Sequence, residues 1–417
     1  MSEVPGNSDP LVVTRIGREG DGVAERPEGP VFIPNALPGE TYVAHGDGGY
    51  VRTGAPSFHR VAAPCRHFGT CGGCIAQHME AETYSAWKQE LIRAAFHAQA
   101  LEPQLIPLVT VPAHSRRRAA MTAIVHGANV RLGFRERRSH ALVDLGECPV
   151  LVRAIVDALP VLREIVRLLA GSTRRETEMR LEIGALGGGL DVAITGASKQ
   201  PPVEISATIA ALARGAIARL SVEGQTVSSE GDPTLETSAG IIVPPPGAFF
   251  QAVAEAEARM AALIVDGIGK AKAVADLFCG VGTFTLPLAQ RARVLAVDSD
   301  KAALEALSRA SRNARGLKPI ETRLRNLMAE PLSPLELTGL DAVVLDPPRA
   351  GAKSQCEALV RAKVPTVVMI SCNPTTLARD CRILVDAGFT MGAVQGIDQF
   401  LWSPHVEAVV TLTRRRK

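Results

Sequence analysis

Cys372, in Ser371-Cys372-Asn373-Pro374, follows the apolar run Thr366 to Ile370 and stands at the end of a predicted strand. A thiolate is the common side chain that is both soft and nucleophilic enough to add to C6 of a pyrimidine ring. Such an addition makes C5 enolate-like, ready to accept a methyl group from a sulfonium donor. The C5 proton must then leave, which requires a general base, and elimination of the cysteine restores the aromatic ring. Glu407, in His405-Val406-Glu407-Ala408 on the final predicted strand, is the candidate base. Taken alone, a cysteine after an apolar strand is usually packing, and a lone glutamate is usually surface. Position outweighs both defaults, because Cys372 lies at the functional end of its strand beside the loop that carries Asp346. Cys279, Cys356 and Cys381 keep the packing assignment.

Asp276-Leu277-Phe278-Cys279-Gly280-Val281-Gly282-Thr283 ends another predicted strand and leads into a helix. In open α/β sheets, ligands bind at the carboxyl ends of strands near a topological switch point. A dinucleotide fingerprint needs a third glycine where this chain has Thr285. Asp298 closes the next strand, placed to accept hydrogen bonds from ribose hydroxyls. One glycine pair alone would be an ordinary strand-to-helix turn. A close-approach glycine turn and a ribose acceptor on successive strands, with no pyrophosphate cradle, suit S-adenosylmethionine. Asp346-Pro347-Pro348-Arg349 faces the same crevice after a further strand. Amino-group methyltransferases carry an aromatic residue after such prolines, and cytosine-5 RNA enzymes carry a cysteine. Arg349 stands there instead, which points to uracil.

Cys65, Cys71 and Cys74 fall within ten residues in a glycine-rich context, and Cys148 can supply a fourth thiol from downstream. Thiolates at this spacing bind an iron–sulfur cluster or zinc, and spacing does not decide between them. Cys148 follows a basic hairpin, so a metal group here would tie that hairpin to the start of its region, a structural role.

The elements that must position these groups fall into three regions. Residues 1–62 alternate short β-like runs with glycine and proline turns, the rhythm of a small OB-like β-barrel. Residues 63–240 open with the cysteines and a helix from about Glu80 to Gln99, then show a hairpin of Ala119–Val125 and Val130–Phe134. Helix-like stretches follow over Leu151–Leu169 and Ile205–Arg219, giving an α+β region. Val243-Pro244-Pro245-Pro246-Gly247 marks a boundary. Residues 241–417 alternate buried strands (Ala273–Phe278, Val294–Val297, Ala342–Leu345, Thr366–Ile370) with helices, notably Lys301–Arg315 and Thr376–Ala387. That is a doubly wound α/β sheet, and Thr390–Ile397 and Val406–Leu412 add an antiparallel pair at one edge. The 417 residues are 46% hydrophobic with a net charge of +3, enough apolar matter for two or three domains. The charge is uneven. Seven arginines and one acid, Glu136, lie between Arg116 and Arg138, and the chain ends Arg414-Arg415-Arg416-Lys417, patches that fit a nucleic-acid surface. No signal peptide or membrane span is visible, and eight unevenly spaced cysteines do not form a secreted disulfide framework. A reducing cytoplasm is the expected compartment.

Together, the Asp276–Gly282 segment, Asp346-Pro347-Pro348-Arg349, Ser371-Cys372-Asn373-Pro374 and the terminal Val406-Glu407 resemble the RNA uracil-5 methyltransferase family across nearly the whole chain. The cysteine set resembles the 4Fe–4S motif of its 23S ribosomal RNA branch. The resemblance implies a TRAM-like RNA-binding domain over 1–62, a central cluster-bearing domain with RNA contacts over 63–240, and a class I (Rossmann-like) methyltransferase over 241–417. It implies Cys372 as nucleophile and Glu407 as base. Gln251, Phe278, Thr283, Asp298, Asn326 and Asp346 would form the S-adenosylmethionine pocket, and Cys65, Cys71, Cys74 and Cys148 would hold the cluster. Val253 and Thr283 stand where the family often has asparagine. The expected product is a methyl group on C5 of one uridine in RNA, 23S ribosomal RNA in the first place, made by a monomer. The same chemistry on transfer RNA, and a non-catalytic iron–sulfur RNA-binding protein, are the alternatives; the latter leaves Cys372 and Glu407 without a role.

Overall fold

The computed structural model describes residues 9–46, 48–171, 175–197 and 200–414, so the Arg415–Lys417 end of the basic terminus lies outside the described residues. Its largest sheet has eight strands, in spatial order Ile320–Leu324, Arg293–Asp298, Ala273–Leu277, Ala342–Leu345, Thr366–Ser371, Glu407–Arg414, Phe389–Asp398 and Leu105–Thr110. The first five run parallel, and Ala273–Leu277, Ala342–Leu345 and Thr366–Ser371 have the apolar sequences of strands covered on both faces, while the edge strand Ile320–Leu324 is polar and half-exposed. Val274, Ala275, Val343, Val344, Val367 and Val368 are fully buried. Glu407–Arg414 then inserts antiparallel between Thr366–Ser371 and Phe389–Asp398. Helices on both faces complete the α/β architecture. Lys301–Asn313 starts where the Asp300 side chain accepts from Ala303 N–H, and it buries Ala303, Leu304 and Leu307 as their spacing predicts. Pro374–Asp386 starts on Asn373, which caps Thr375 N–H, with proline in its first turn.

Two elements from within residues 63–240 join this sheet, one as a strand and one as a helix packed on it. Leu105–Thr110 pairs in parallel with Phe389–Asp398. Helix Ala81–His97 packs against it, with Ile92 and Phe96 joining the core formed by Leu277, Leu345 and Val410. The pairing joins segments far apart in sequence, which local periodicity does not record.

The central region forms a seven-stranded sheet ordered Leu142–Asp144, Asn129–Arg135, Arg118–His126, Thr177–Leu186, Gly189–Thr195, Ile217–Val222 and Gln225–Ser229. The helix expected over Leu151–Leu169 is two, Arg153–Asp157 and Leu159–Ala170, the second carrying a proline in its first turn. The one expected over Ile205–Arg219 is Val203–Ala213. It ends before Gly215, whose φ of +74° reverses the chain into the strand Ile217–Val222. Near the N-terminus two three-stranded sheets enclose Leu11, Val13, Ala24, Ile33, Ala36 and Tyr42. Among the described residues no helix is long and apolar enough to cross a membrane.

Candidate active site

The eight-stranded sheet changes direction between Ala273–Leu277 and Ala342–Leu345, whose neighbours along the chain lie on opposite sides. A crevice opens there at the carboxyl ends of the strands. Phe278 leaves its strand with a φ of +65°, a conformation non-glycine residues rarely adopt. Gly282, at φ +93°, lies against Leu307, and a Cβ there would meet its Cδ1 at 2.4 Å. Asp298 Oδ2 accepts from Gly280 N–H at 2.8 Å and Oδ1 from Asp300 N–H at 2.8 Å, so the carboxylate is held rigidly at its strand end. Asp276 is buried below, bonded through Oδ2 to the Thr285 hydroxyl at 2.5 Å, while Oδ1 has no partner. Burial raises its carboxyl to about 7.

Gln251, Asp346, Glu407 and Cys372 come together from four separate segments. Gln251 Nε2 donates to Asp346 Oδ2 at 3.1 Å. Gln399, which follows the strand Phe389–Asp398, donates through Nε2 to Gln251 Oε1 at 2.8 Å and to Glu407 Oε1 at 2.9 Å. Glu407 is 4% exposed, and its Oε2 has no hydrogen-bond partner among the described residues. Burial raises the pKa of both carboxyls above the usual range; the charge of Glu407 adds to this at Asp346, while Gln399 and Arg349 oppose it at Glu407. Cys372 is half-buried. Burial, then the Glu407 charge, pushes its thiol up to about 11, with the Arg349 guanidinium pulling the other way.

A cavity of about 100 Å³ opens on Cys372, lined also by Arg18, Glu19, Arg349, Asn373, Pro404 and His405. Asn373 Nδ2 and the Thr376 hydroxyl hold the Arg349 carbonyl at 3.0 and 3.1 Å, so the Asp346–Arg349 loop and the Cys372 turn are fixed to each other. Two further expected cofactor residues have local contacts of their own. Asn326 Oδ1 caps a turn, accepting from Met328 N–H at 3.1 Å. Thr283 is buried and lines a groove with Ser238 and helix Ala254–Gly267. Sequence reasoning missed Gln399 and His405, and it missed the reach of Arg18 and Glu19 from the N-terminal segment into the Cys372 cavity. The one local signal for Gln399 was its place at the end of a β-like run.

Cys65, Cys71, Cys74 and Cys148 all line one cavity of about 440 Å³ and all are free thiols. Among the described residues no three His, Cys, Asp or Glu side chains close on one point as a single ion demands. Burial raises Cys71, Cys74 (to about 12) and Cys148, and the thiols raise one another. Arg116 lines the same cavity and stacks over Phe400 at 5.7 Å. The arginines of the basic hairpin make contacts within the protein. Arg117 pairs with Glu257, Arg135 with Glu178, and both Arg137 and Arg138 with Asp21. Arg118 stacks on Phe249 at 4.1 Å. These cations chiefly join segments of the protein to one another. Arg414 likewise stacks on Phe389 and donates to Val360 O.

Comparison with known proteins bears on this site. Residues 241–415 match the tRNA (uracil-5-)-methyltransferase family. The chain is 43% identical over 413 residues to an uncharacterized RNA methyltransferase of Rhizobium meliloti, covering 97% of this chain and 99% of that one. It is 34% identical to a 23S rRNA (uracil(1939)-C(5))-methyltransferase of Halomonas elongata, covering 96% of this chain and 89% of that one. The crystal structure of Pyrococcus abyssi tRNA (uracil-54, C5)-methyltransferase with S-adenosyl-L-homocysteine superposes with a TM-score of 0.75. That pair is 21% identical over 97% of this chain and all of the other, a likeness of fold.

Proposed function

The chain belongs to the tRNA (uracil-5-)-methyltransferase family of RNA methyltransferases, and from that premise we propose that it methylates C5 of a uridine in RNA with Cys372 as nucleophile and Glu407 as base. The observation that carries the assignment is the convergence of a half-buried thiol and a buried carboxylate with one unpartnered oxygen at the carboxyl ends of the sheet. Cys372 Sγ forms a bond to C6 of the uracil, and the ring electrons move toward C5. S-adenosylmethionine supplies the methyl group, which an electron-rich C5 can accept. Glu407 Oε2 then takes the C5 proton, the C5–H electron pair forms the C5=C6 bond, and Cys372 leaves as a thiolate. Arg349 beside Cys372 favours the thiolate form. Asp298, Phe278 and Asp346, with Gln251 behind it, would hold the cofactor in the crevice, Asp298 meeting ribose hydroxyls; Thr283 and Asn326 would shape its approach. A target uridine must leave any base stack to reach a cavity of this size.

Ribosomal RNA is the favoured substrate, supported by the Halomonas elongata relative and by the four thiols. A zinc ion holds its thiolates at about 2.3 Å, whereas these line a cavity of about 440 Å³, a better fit to a 4Fe–4S cluster. Cys65, Cys71, Cys74 and Cys148 would hold it, and its contribution would be structural, joining the segment around residue 70 to that around residue 148. The N-terminal β-segment is assigned as a TRAM-like RNA-binding module on the strength of its position beside the Cys372 cavity.

The test is to incubate the protein with labelled S-adenosylmethionine and unmethylated 23S ribosomal RNA or transfer RNA, then map the product by mass spectrometry. 5-Methyluridine in the ribosomal RNA is expected, with Cys372→Ala inactive. Label on cytidine or adenosine, or full transfer by Cys372→Ala, would overturn the assignment. Iron and sulfide analysis with visible absorbance decides the occupant of the cysteine cavity.

A further inference from the structure

Gln399 is 1% exposed and uses every polar atom of its amide. Oε1 accepts from Ala252 N–H at 3.0 Å, which settles the direction the amide faces. Nε2 therefore turns both protons inward, one to Gln251 Oε1 and one to Glu407 Oε1. Gln251 passes the chain on to Asp346. Glu407 Oε2 is left buried and without a partner. A carboxylate that rotates about its last bond exchanges its two oxygens, and the bond from Gln399 prevents that exchange.

We propose that Gln399 is a positioning residue that ties up Oε1 of Glu407, presents Oε2 alone to the C5 proton, and through Gln251 sets the base relative to the Asp346 crevice. The inference rests on Glu407 being the base of the proposed function. In the step concerned the C5–H bond breaks and its proton passes to Oε2. The freed pair forms the C5=C6 bond, and the C6–S bond breaks with its pair leaving on Cys372. If Oε2 is misplaced, the reaction stalls after methyl transfer with the RNA still joined to Cys372.

Two substitutions test this. Gln399→Met keeps the volume and removes all three hydrogen bonds. Gln399→Glu keeps the shape and the acceptor for Ala252 while placing a second carboxyl against Glu407, so it guards against a mere folding defect. Each is compared with wild type and Glu407→Gln for turnover, KM for RNA, and a covalent protein–RNA adduct that survives denaturing detergent and carries the new methyl group. The expected result is turnover at least about tenfold lower, an unchanged KM, and adduct accumulation like that of Glu407→Gln. Wild-type turnover without adduct in both Gln399 variants, alongside adduct in Glu407→Gln, would overturn the inference and leave the base assignment standing. Lost turnover without adduct would likewise overturn it, as a structural defect. Full turnover without adduct in Glu407→Gln would remove the base assignment itself, and the inference with it.

Discussion

Lys88 is fully buried on helix Ala81–His97, and its ammonium has three acceptors for its three protons. Asp398 Oδ1 lies at 2.7 Å, the Phe400 carbonyl at 3.3 Å, and the His405 carbonyl closer still. Asp398, equally buried, receives its other bond from the Tyr84 hydroxyl at 2.5 Å. Lys88→Met keeps most of the volume but strands a buried carboxylate and two carbonyls. Removing one partner of such a pair costs about 3–5 kcal/mol, a large fraction of an ordinary domain's stability of about 5–15 kcal/mol. The assay is urea unfolding at neutral pH of Lys88→Met, Asp398→Asn and the double variant, followed by fluorescence and circular dichroism. The double variant should lose less than the sum of the singles, because the second change removes the charge the first left unpaired. A cost below about 1 kcal/mol, the range of a solvent-exposed pair, would refute the reasoning, as would strict additivity.

The pH dependence of methyl transfer should follow from the raised pKa values of Cys372 and Glu407. Both must lose a proton to act, so kcat/KM should rise with pH through the neutral range; a fall over that range would contradict the assigned roles. The same elevation has a stability sign: a carboxyl whose folded-state pKa lies above its unfolded one stabilises the fold at low pH and loses that contribution as pH rises through the folded value. Glu407→Gln should therefore flatten stability between about pH 4.5 and 7, measured by urea titration. Gly282→Ala should lose about 1–3 kcal/mol, since its added methyl meets Leu307 on a backbone at φ +93°. Thermal unfolding checks this, and an unchanged midpoint would show that the turn yields freely.

Much of the α/β sheet was legible in the sequence because its parallel strands are buried on both faces and read as unbroken apolar runs between helices. Asp298, Cys372 and Asp346 each follow such a run, so their place at the carboxyl ends of strands could be read from the chain. Glu407 was legible as a strand residue, but not its partner. Gln399 reaches it because the strands Phe389–Asp398 and Glu407–Arg414 pair with Ile397 opposite Glu407, and register across a connection leaves no periodic mark. The ion pairs of Arg117, Arg135, Arg137 and Arg138 were illegible for a related reason: their partners Asp21, Glu178 and Glu257 lie far away in sequence.

The strand Leu105–Thr110 makes the catalytic half of this protein inseparable from what precedes it. Without that strand, Phe389–Asp398 would present a bare row of backbone donors and acceptors, a template on which further chains can add. Without helix Ala81–His97, Asp398 would lose both Lys88 and Tyr84 at the root of the segment that bears Gln399. A fragment beginning near residue 241 contains Cys372 and Glu407, the proposed nucleophile and base, yet it would be born with a sticky margin and an unneutralised charge beside Glu407. The N-terminal segments thus seal the margin of the sheet and neutralise the charge at its root.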